Sequence, residues 1–185
     1  KSMNSSAAER ETHRMDTDMS TKSVLIVFAI ILIGLVITFW DFVSAVPISA
    51  GLMWTLVVVG VVVALLIGFF VAAACGYMAG LIGTSASPIS GIGILATIIS
   101  SLVVYFIASE NNLFATEAGV QFATAMAIFM TSVVIAIASI SNDNLQDLKT
   151  GQLVGATPWR QQIALLLGSV AGAIAIAPVL NLLYQ

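Results

Sequence analysis

Charged side chains are scarce in this sequence of 185 residues: Lys and Arg number 6, Asp and Glu 9, and His 1. None of these residue types occurs between Phe42 and Ser109. A soluble domain carries about 25% charged residues, whereas the charged share here is 8% and apolar residues make up 59%. This balance excludes an ordinary soluble domain and predicts an all-α, polytopic helical membrane protein.

Cysteine and histidine are nearly absent as well. Cys75 and His13 are single copies, so an internal disulfide, a thiolate cluster, haem and iron–sulfur ligation all lack partners. The phosphate-binding pattern G-x-x-x-x-G-K-[ST] and the zinc pattern H-E-x-x-H are missing. No Lys or His lies in an apolar segment to activate a serine. We therefore expect no enzyme, no bound metal and no cofactor. Nucleic acid is not an expected partner, because the basic residues form no patch with interleaved aromatics.

Five apolar segments reach or approach the roughly 20 helical residues that cross a hydrocarbon core about 30 Å thick. They are Ser23–Val46, Leu52–Cys75, Ile92–Ser109, Ala118–Ile140 and Gln161–Leu183. Residues 1–22 are polar and mixed in charge, and we predict a cytoplasmic loop or tail there. Residues 23–185 are predicted to form a transmembrane helical region. The chain begins without an initiator Met and ends directly after an apolar span, as expected for a fragment.

The positive charges favour one orientation. All six Lys and Arg residues lie before the first segment or in the loop that contains Lys149 and Arg160. With five crossings, both regions face the same side, which the positive-inside rule assigns to the cytoplasm. One alternative stays open, in which the second and third segments form a re-entrant hairpin that does not cross fully.

The stretch Gly76–Gly93 interrupts the charge-free region with five glycines, one proline, one threonine and three serines. Lipid offers no hydrogen-bond partner to non-helical backbone, so a break at membrane depth must face protein or water. Pro88 lacks a backbone donor and disfavours helical angles at Ser87. The sequence predicts a broken or re-entrant segment that lines a transport path, with Gly76 and Gly80 serving helix packing. An ordinary cytoplasmic turn is the alternative.

A second polar stretch begins where the fourth segment is expected to end, at Ser141. If Asn144–Lys149 is helical, Asp143 and Asp147 share one face and are suited to binding a cation or relaying a proton. The alternative is a solvated loop in which Asn142 or Asp143 caps a new helix. The candidate residues of a substrate or ion pathway are Thr84, Ser85, Ser87, Pro88, Ser90, Gly91, Asp143, Asn144, Gln146, Asp147 and Lys149.

Two long motifs carry a family resemblance. GYMAGLIGTSASPISGIGI (Gly76–Ile94) and NDNLQDLKTGQLVGATPWRQQ (Asn142–Gln162) resemble segments of the oligopeptide transporter superfamily. The similarity is closest to its prokaryotic branch and to the yellow stripe-like metal-chelate transporters. The lead-in AERETHRMDTDMS and the ending APVLNLL extend the resemblance over most of the chain. Members often carry Asn at the position of Ala86. Because members are several times longer, the resemblance implies a piece from the C-terminal half.

The resemblance implies a secondary active transporter that imports oligopeptides or metal chelates together with protons across the inner membrane of a prokaryote. The family motifs map onto Ser87–Gly91 and Asp143–Gly151. Implied partners are membrane lipid, a small-molecule substrate, protons and the remaining helices of the full-length transporter; a homo-oligomer is also compatible. Two other functions stay open, namely an ion or solute channel and a non-transporting membrane subunit of a larger complex.

Overall fold

The computed structural model describes residues 17–183, so most of the tail predicted for residues 1–22 lies outside the described residues. Residues 17–183 form five α-helices and two short 3-10 turns. The helices are α1 (Thr21–Ser44), α2 (Ala50–Ile82), α3 (Ile89–Glu110), α4 (Glu117–Leu153) and α5 (Pro158–Leu183). Each is long and apolar enough to cross a membrane. This confirms the predicted all-α fold class with five segments.

The chain divides into two compact units. The central unit is Leu25–Leu145. The terminal unit comprises residues 1–24 and 146–185, of which 17–24 and 146–183 are described. Each unit has its own internal packing.

Aromatic side chains pack α1 into the core of the central unit. Phe39 is fully buried and lies against Gly60 of α2, where a Cβ atom would collide with its ring. The ring of Phe129 on α4 meets Phe39 edge-on, with ring centroids 5.0 Å apart. Phe42 stacks on Phe129 with ring centroids 4.3 Å apart. Such aromatic pairs are worth about 0.5–1.5 kcal/mol each beyond their burial, so they hold α1 against α4.

Glycines let α2 approach α4 closely. A Cβ added at Gly68 would lie 2.7 Å from Cδ1 of Ile137, and one added at Gly76 would lie 2.8 Å from Oγ of Ser141. The packing role predicted for Gly76 is therefore confirmed. A Cβ at Gly80 would meet nothing within 4 Å among the described residues, so the structure gives that glycine no comparable contact.

The predicted break is present but shorter than Gly76–Gly93. α2 continues to Ile82 and α3 begins at Ile89, so the α-helical backbone is interrupted only over Gly83–Pro88. Glycine inside a helix costs only about 1 kcal/mol relative to alanine, which close packing of α2 outweighs. The sequence therefore located the break correctly and overestimated its length.

Gly83 ends α2. Its φ of 92° and ψ of 165° lie in a region that essentially only glycine adopts. Its N–H closes the last helical turn by donating to the carbonyl oxygen of Ala79 at 3.0 Å. A single 3-10 turn, Thr84–Ala86, then leads to Ser87 and Pro88. The backbone angles at Gly83 thus decide where the chain leaves the helix.

The expected end of the fourth segment at Ser141 is wrong. α4 does not stop there but extends to Leu153. Its full length is 37 residues, which is about 55 Å at 1.5 Å per residue. The polar residues after Ser141 are therefore helical, and the alternative of a solvated loop with a new cap at Asn142 or Asp143 is wrong as well. Asn, Asp and Gln carry helix propensities only a few tenths of a kcal/mol below those of apolar residues, so polarity alone does not end a helix.

Gly155 provides the actual stop signal for α4. It adopts a positive φ of 72°, and its N–H donates to the carbonyl oxygen of Gln152 at 3.3 Å. The N–H of Ala156 donates to the carbonyl oxygen of Gly151 at 2.8 Å. This pair of bonds is the Schellman motif, in which a left-handed glycine satisfies the last carbonyl groups of a helix.

In the terminal unit, the chain before α1 is bonded to the first turn of α5. Trp159 N–H donates to the carbonyl oxygen of Thr17 at 3.2 Å, and Met19 N–H donates to Oε1 of Gln162 at 3.1 Å. Pro158 occupies the first helical position of α5, where its missing N–H costs nothing. Beyond this turn, α5 buries no residue against the described part of the chain.

Candidate functional site

Six predicted pathway residues lie in the break or in the first turn of α3. Thr84 and Ser87 are half-buried. The exposed members are Ser85, Pro88, Ser90 and Gly91. The Oγ atom of Ser87 is buried and has no hydrogen-bond partner in the described part of the chain. A buried hydroxyl in that state is costly and needs a partner, such as a water molecule or a ligand.

The first turn of α3 is not capped by a side chain of residues 17–183. Pro88 stands in the capping position and has no side chain that accepts a hydrogen bond. The first N–H groups of an α-helix have no partner within the helix, so this end of α3 presents free donors beside Ser87.

The other predicted residues lie on the last turns of α4. Asp143 and Asn144 belong to the central unit, and Gln146, Asp147 and Lys149 belong to the terminal unit. All are exposed except Asn144, which is half-buried. Its Oδ1 atom is buried without a partner among the described residues. Asp143 and Asp147 stand four residues apart on a continuous helix, which is the condition under which the sequence predicted a shared face.

Lys149 is held close to its own helix. Its Nζ donates to Oε1 of Gln152, three residues later, at 3.1 Å. The hydroxyl of Thr150 donates to the carbonyl oxygen of Gln146 at 3.0 Å. These contacts hold the side chains of Lys149 and Thr150 against α4. The ammonium group of Lys149 is thus hydrogen-bonded within its own helix.

Asp147 lines an open groove in the terminal unit with a volume of about 520 Å³. The rest of the lining comes from α5: Gln161, Ala164, Leu165, Gly168 and Ser169. Nε2 of Gln161 is buried and finds no acceptor in residues 17–183. The groove thus joins one carboxylate with an amide donor, which suits a group that both donates and accepts hydrogen bonds.

The close approach of Gln161 to α4 depends on a glycine. Its side-chain amide lies where a Cβ of Gly151 would stand. Sequence reasoning singled out neither Gln161 nor Ser169. The sequence does hint at Gln161, because this residue lies in the polar start of α5. Spacing alone, however, does not reveal which face of α5 meets Asp147.

A second groove lies between α3 and α4 of the central unit, with a volume of about 390 Å³. Its hydroxyl-bearing lining residues are Thr97, Ser101, Tyr105, Thr124, Thr131 and Ser132. Thr97, Thr124, Thr131 and Ser132 each donate to the carbonyl oxygen four residues earlier, at 2.8–2.9 Å. These hydroxyls therefore present only acceptor lone pairs to the groove. Sequence reasoning missed the groove, because none of these residues stands out by spacing.

Asn142 is the functional candidate that the sequence did not select. It is only 2% exposed, and its Nδ2 contacts Oδ1 of Asp143 at 3.4 Å. Its Oδ1 is buried and unpartnered among the described residues. Its burial follows a regular pattern along α4, in which every fourth residue is buried: Met126, Met130, Val134, Ala138 and Asn142. Continuing this stripe past Ser141 would have placed Asn142 inside.

The two predicted stretches are not joined directly. Within residues 17–183, no hydrogen bond links the break, Gly83–Pro88, to Asp143 or Asn144. The structure instead brings Asp147 together with Gln161 and Ser169 in the terminal unit. In the central unit it joins Ser141, the neighbour of Asn142, to Ala72 of α2.

Comparison with known proteins gives consistent likenesses. A sequence profile described as "OPT oligopeptide transporter protein" matches residues 1–185. The chain is 53% identical over 177 residues to a protein of Haemophilus influenzae named "Putative oligopeptide transporter". That match covers 96% of this chain and 28% of the relative, so the chain spans less than a third of the relative's length. No solved structure matches. With the five apolar helices, these likenesses confirm an integral membrane protein of the prokaryotic inner-membrane type.

Proposed function

The chain belongs to the OPT oligopeptide transporter family, and on that basis we propose that it forms part of a secondary active transporter. The transporter imports oligopeptides or metal chelates together with protons across the cytoplasmic membrane. Its remaining helices are supplied by the rest of the full-length protein. We propose that it is not an enzyme. The sequence has neither the phosphate-binding nor the zinc pattern described above, and no Lys or His in an apolar segment that could activate a serine.

One observation carries the coupling part of this proposal: the carboxyl group of Asp147 lines an open groove beside the amide of Gln161. Ionisable residues on the helices of transporters are candidates for ion paths and proton relays, and Asp147 is exposed, so it can exchange protons with water. A carboxyl group can take up a proton on one side of the membrane and release it on the other. Asp147 is the one ionisable residue among the described residues that line this groove.

The break between α2 and α3 supports the pathway part of the proposal. Transporters place discontinuous helices at their substrate and ion sites, because free helix-end groups bind ligands there without further side chains. Gly83–Pro88 connects α2 to α3, and the first turn of α3 has no side-chain cap among the described residues, so it offers free helix-end groups of this kind. Thr84, Ser87 and Ser90 add hydroxyl groups to it. We propose that this segment lines the substrate path.

The orientation follows from the basic residues. Lys22 lies in the first turn of α1, Lys149 lies near the end of α4, and Arg160 lies in the first turn of α5. The positive-inside rule places this end of each helix in the cytoplasm. Residues 1–22 are then cytoplasmic, and Asp147 lies in the cytoplasmic part of α4.

The test is uptake by the full-length protein in proteoliposomes. A panel of short peptides and metal chelates is supplied with and without an inward proton gradient. We expect the gradient to accelerate uptake of at least one class. Asp147→Asn should abolish gradient-driven accumulation and its dependence on pH, because an amide carries no exchangeable proton, while leaving substrate exchange across the membrane.

A matched control removes a carboxylate outside the groove. Glu110 is the last residue of α3 and is exposed. The variant Glu110→Gln should keep full gradient-driven uptake. Uptake that is unchanged in Asp147→Asn refutes the coupling assignment. Conductance that needs no coupling ion identifies a channel instead. Absence of any transport by the full-length protein across the panel identifies a non-transporting subunit.

A further inference from the structure

Asn142 places a polar amide inside the packed part of the central unit. It is 2% exposed, and its nitrogen faces the carboxylate of Asp143 at 3.4 Å. The nitrogen thus has an acceptor, and Oδ1 of the same amide is buried. Oδ1 has no donor among the described residues. An acceptor that is buried and unpaired is unfavourable unless something binds it.

α3 runs antiparallel to α4, so its first turn, which follows Ser87, lies toward the part of α4 that holds Asn142. A Cβ at Gly93 would lie 3.5 Å from Cδ1 of Ile135, and the groove between the two helices continues this antiparallel register. α3 begins at Ile89, two residues after Ser87. Oγ of Ser87 is a further buried oxygen that lacks a partner in the described chain.

α2 closes the third side and fixes α4 in place. Ser141 donates its hydroxyl proton to the carbonyl oxygen of Ala72 at 2.7 Å. Gly76 lies so close that an added Cβ would stand 3.2 Å from Cγ of Leu145. This tight contact leaves the backbone of Asn142 little freedom, so its amide oxygen is held ready for a ligand.

The charge of the central unit selects the sign of that ligand. Between Leu25 and Leu145 the charged residues are Asp41, Glu110, Glu117 and Asp143, and the sequence holds no Lys, Arg or His there. The first turn of α3 alone would favour an anion. However, the carboxyl end of α2 adjoins it through the short break with the opposite polarity, and Asp143 directly follows Asn142. A cation is therefore favoured.

The kind of oxygen selects the charge of the cation. The unpaired atoms are one amide oxygen and one hydroxyl oxygen, both neutral. Divalent ions are held mainly through several carboxylates, whereas transporters coordinate sodium through neutral carbonyl oxygens at helix ends. An ammonium group is satisfied by the same acceptors through its N–H donors.

We propose that Oδ1 of Asn142 and Oγ of Ser87 bind a monovalent cationic group where α3 begins beside α2 and α4. Two sources have this chemistry: sodium from the medium, and the ammonium group of a substrate. The second source rests on the proposed transport function, and the first does not.

Binding to the purified full-length protein tests this without any transport assay. The thermal unfolding midpoint is measured in sodium chloride and in choline chloride at equal ionic strength. It is then measured with trialanine and with N-acetyl-trialanine, which lacks the ammonium group. We expect stabilisation by sodium over choline, or by trialanine over its acetylated form, and the pair that responds identifies the source.

Variants assign the response to the two residues. Asn142→Leu keeps a similar volume and removes the acceptor, so the dissociation constant of the responding cation should rise at least about tenfold. Ser87→Ala should weaken binding in the same direction. Asn142→Asp should retain or tighten it, because a carboxylate adds charge to the same position. The matched controls Asn181→Leu and Ser44→Ala change exposed residues and should bind as the unaltered protein does.

Each possible result either supports or refutes the proposed cation site. No difference in either pair of conditions refutes the proposal, as does unaltered affinity in both Asn142→Leu and Ser87→Ala. If Asn142→Leu does not fold, Ser87→Ala and Asn142→Asp carry the test. Sodium binding that depends on Asn142 in a protein that transports nothing would uphold this site and refute the proposed function alone.

Discussion

Ser141 on α4 and Ala72 on α2 are joined by a hydrogen bond of 2.7 Å from the hydroxyl to the carbonyl oxygen. Hydrogen bonds between helices in a membrane contribute about 0.6 kcal/mol on average, so this bond alone does not hold the pair together. The bond lies where Gly76 lets α2 and α4 approach closely, since a Cβ at Gly76 would lie 2.8 Å from Oγ of Ser141. The bond therefore fixes register, and close packing supplies most of the stability.

Gly76→Ala is expected to destabilise the protein by about 1–3 kcal/mol, the usual cost of overpacking a close contact. The new Cβ would press on Ser141 and Leu145, both on α4. Thermal unfolding of the purified full-length protein measures the change. Gly80→Ala is the control, because its Cβ would meet no described atom within 4 Å. Equal unfolding midpoints for the two variants would contradict the packing role of Gly76.

Gly83→Ala is expected to cost on the order of 1–3 kcal/mol through backbone strain. Its φ of 92° is one that side-chain-bearing residues rarely adopt, and there is open space around it, so strain is the sole cause. Limited proteolysis at the break should increase together with the loss of stability. Gly34→Ala also adds a Cβ into open space, but in a regular helix, where alanine is favoured by about 1 kcal/mol, so it should lower neither stability nor resistance to proteolysis. A Gly83→Ala variant with unchanged stability and unchanged proteolysis would show that the positive φ is dispensable.

Phe39→Ala is expected to destabilise the central unit by about 3–5 kcal/mol, the range for truncating a buried aromatic ring. The ring is fully buried and contacts both Gly60 and Phe129. Phe70→Ala removes the same group from a side chain that is 69% exposed and should cost far less. Denaturant titration of both variants measures the difference, and similar losses would refute the central position of Phe39.

Gly151 is buried, and Gly151→Ala is expected to reduce uptake at only a small cost in stability. The Cβ would take the place of the Gln161 side chain, whose end is flexible and can turn aside. Moving that amide alters the groove that Asp147 lines. Paired uptake and unfolding measurements separate the two effects. Gly172→Ala, which has open space around it and lies outside the groove lining, is the control; a matching loss of uptake there would point to a general effect.

The sequence predicted the five helices and the place of the break. Long charge-free runs require helices in lipid, because each backbone group must be paired within its own segment. Pro88 and the positive φ available to Gly83 then mark the single interruption. The boundary at Ser141 was predicted wrongly, because a change in polarity marks where a helix leaves the apolar phase, not where its hydrogen bonds stop. Gly155 was the stop signal, and its role is visible only in the backbone geometry.

The candidate site divides in the same way. Residue type alone marked Asp143 and Asp147 as chemically capable, and Ser87 and Pro88 as helix-breaking. Their roles in transport stay predictions. Tertiary structure decided that Gln161 and Ser169 share a groove with Asp147, and that Asn142 lies inside. Hydropathy determines that a helix forms and crosses the membrane, because it sums over all faces. Which face is packed, and hence which polar atoms lose their water, depends on contacts between helices that are distant in the sequence.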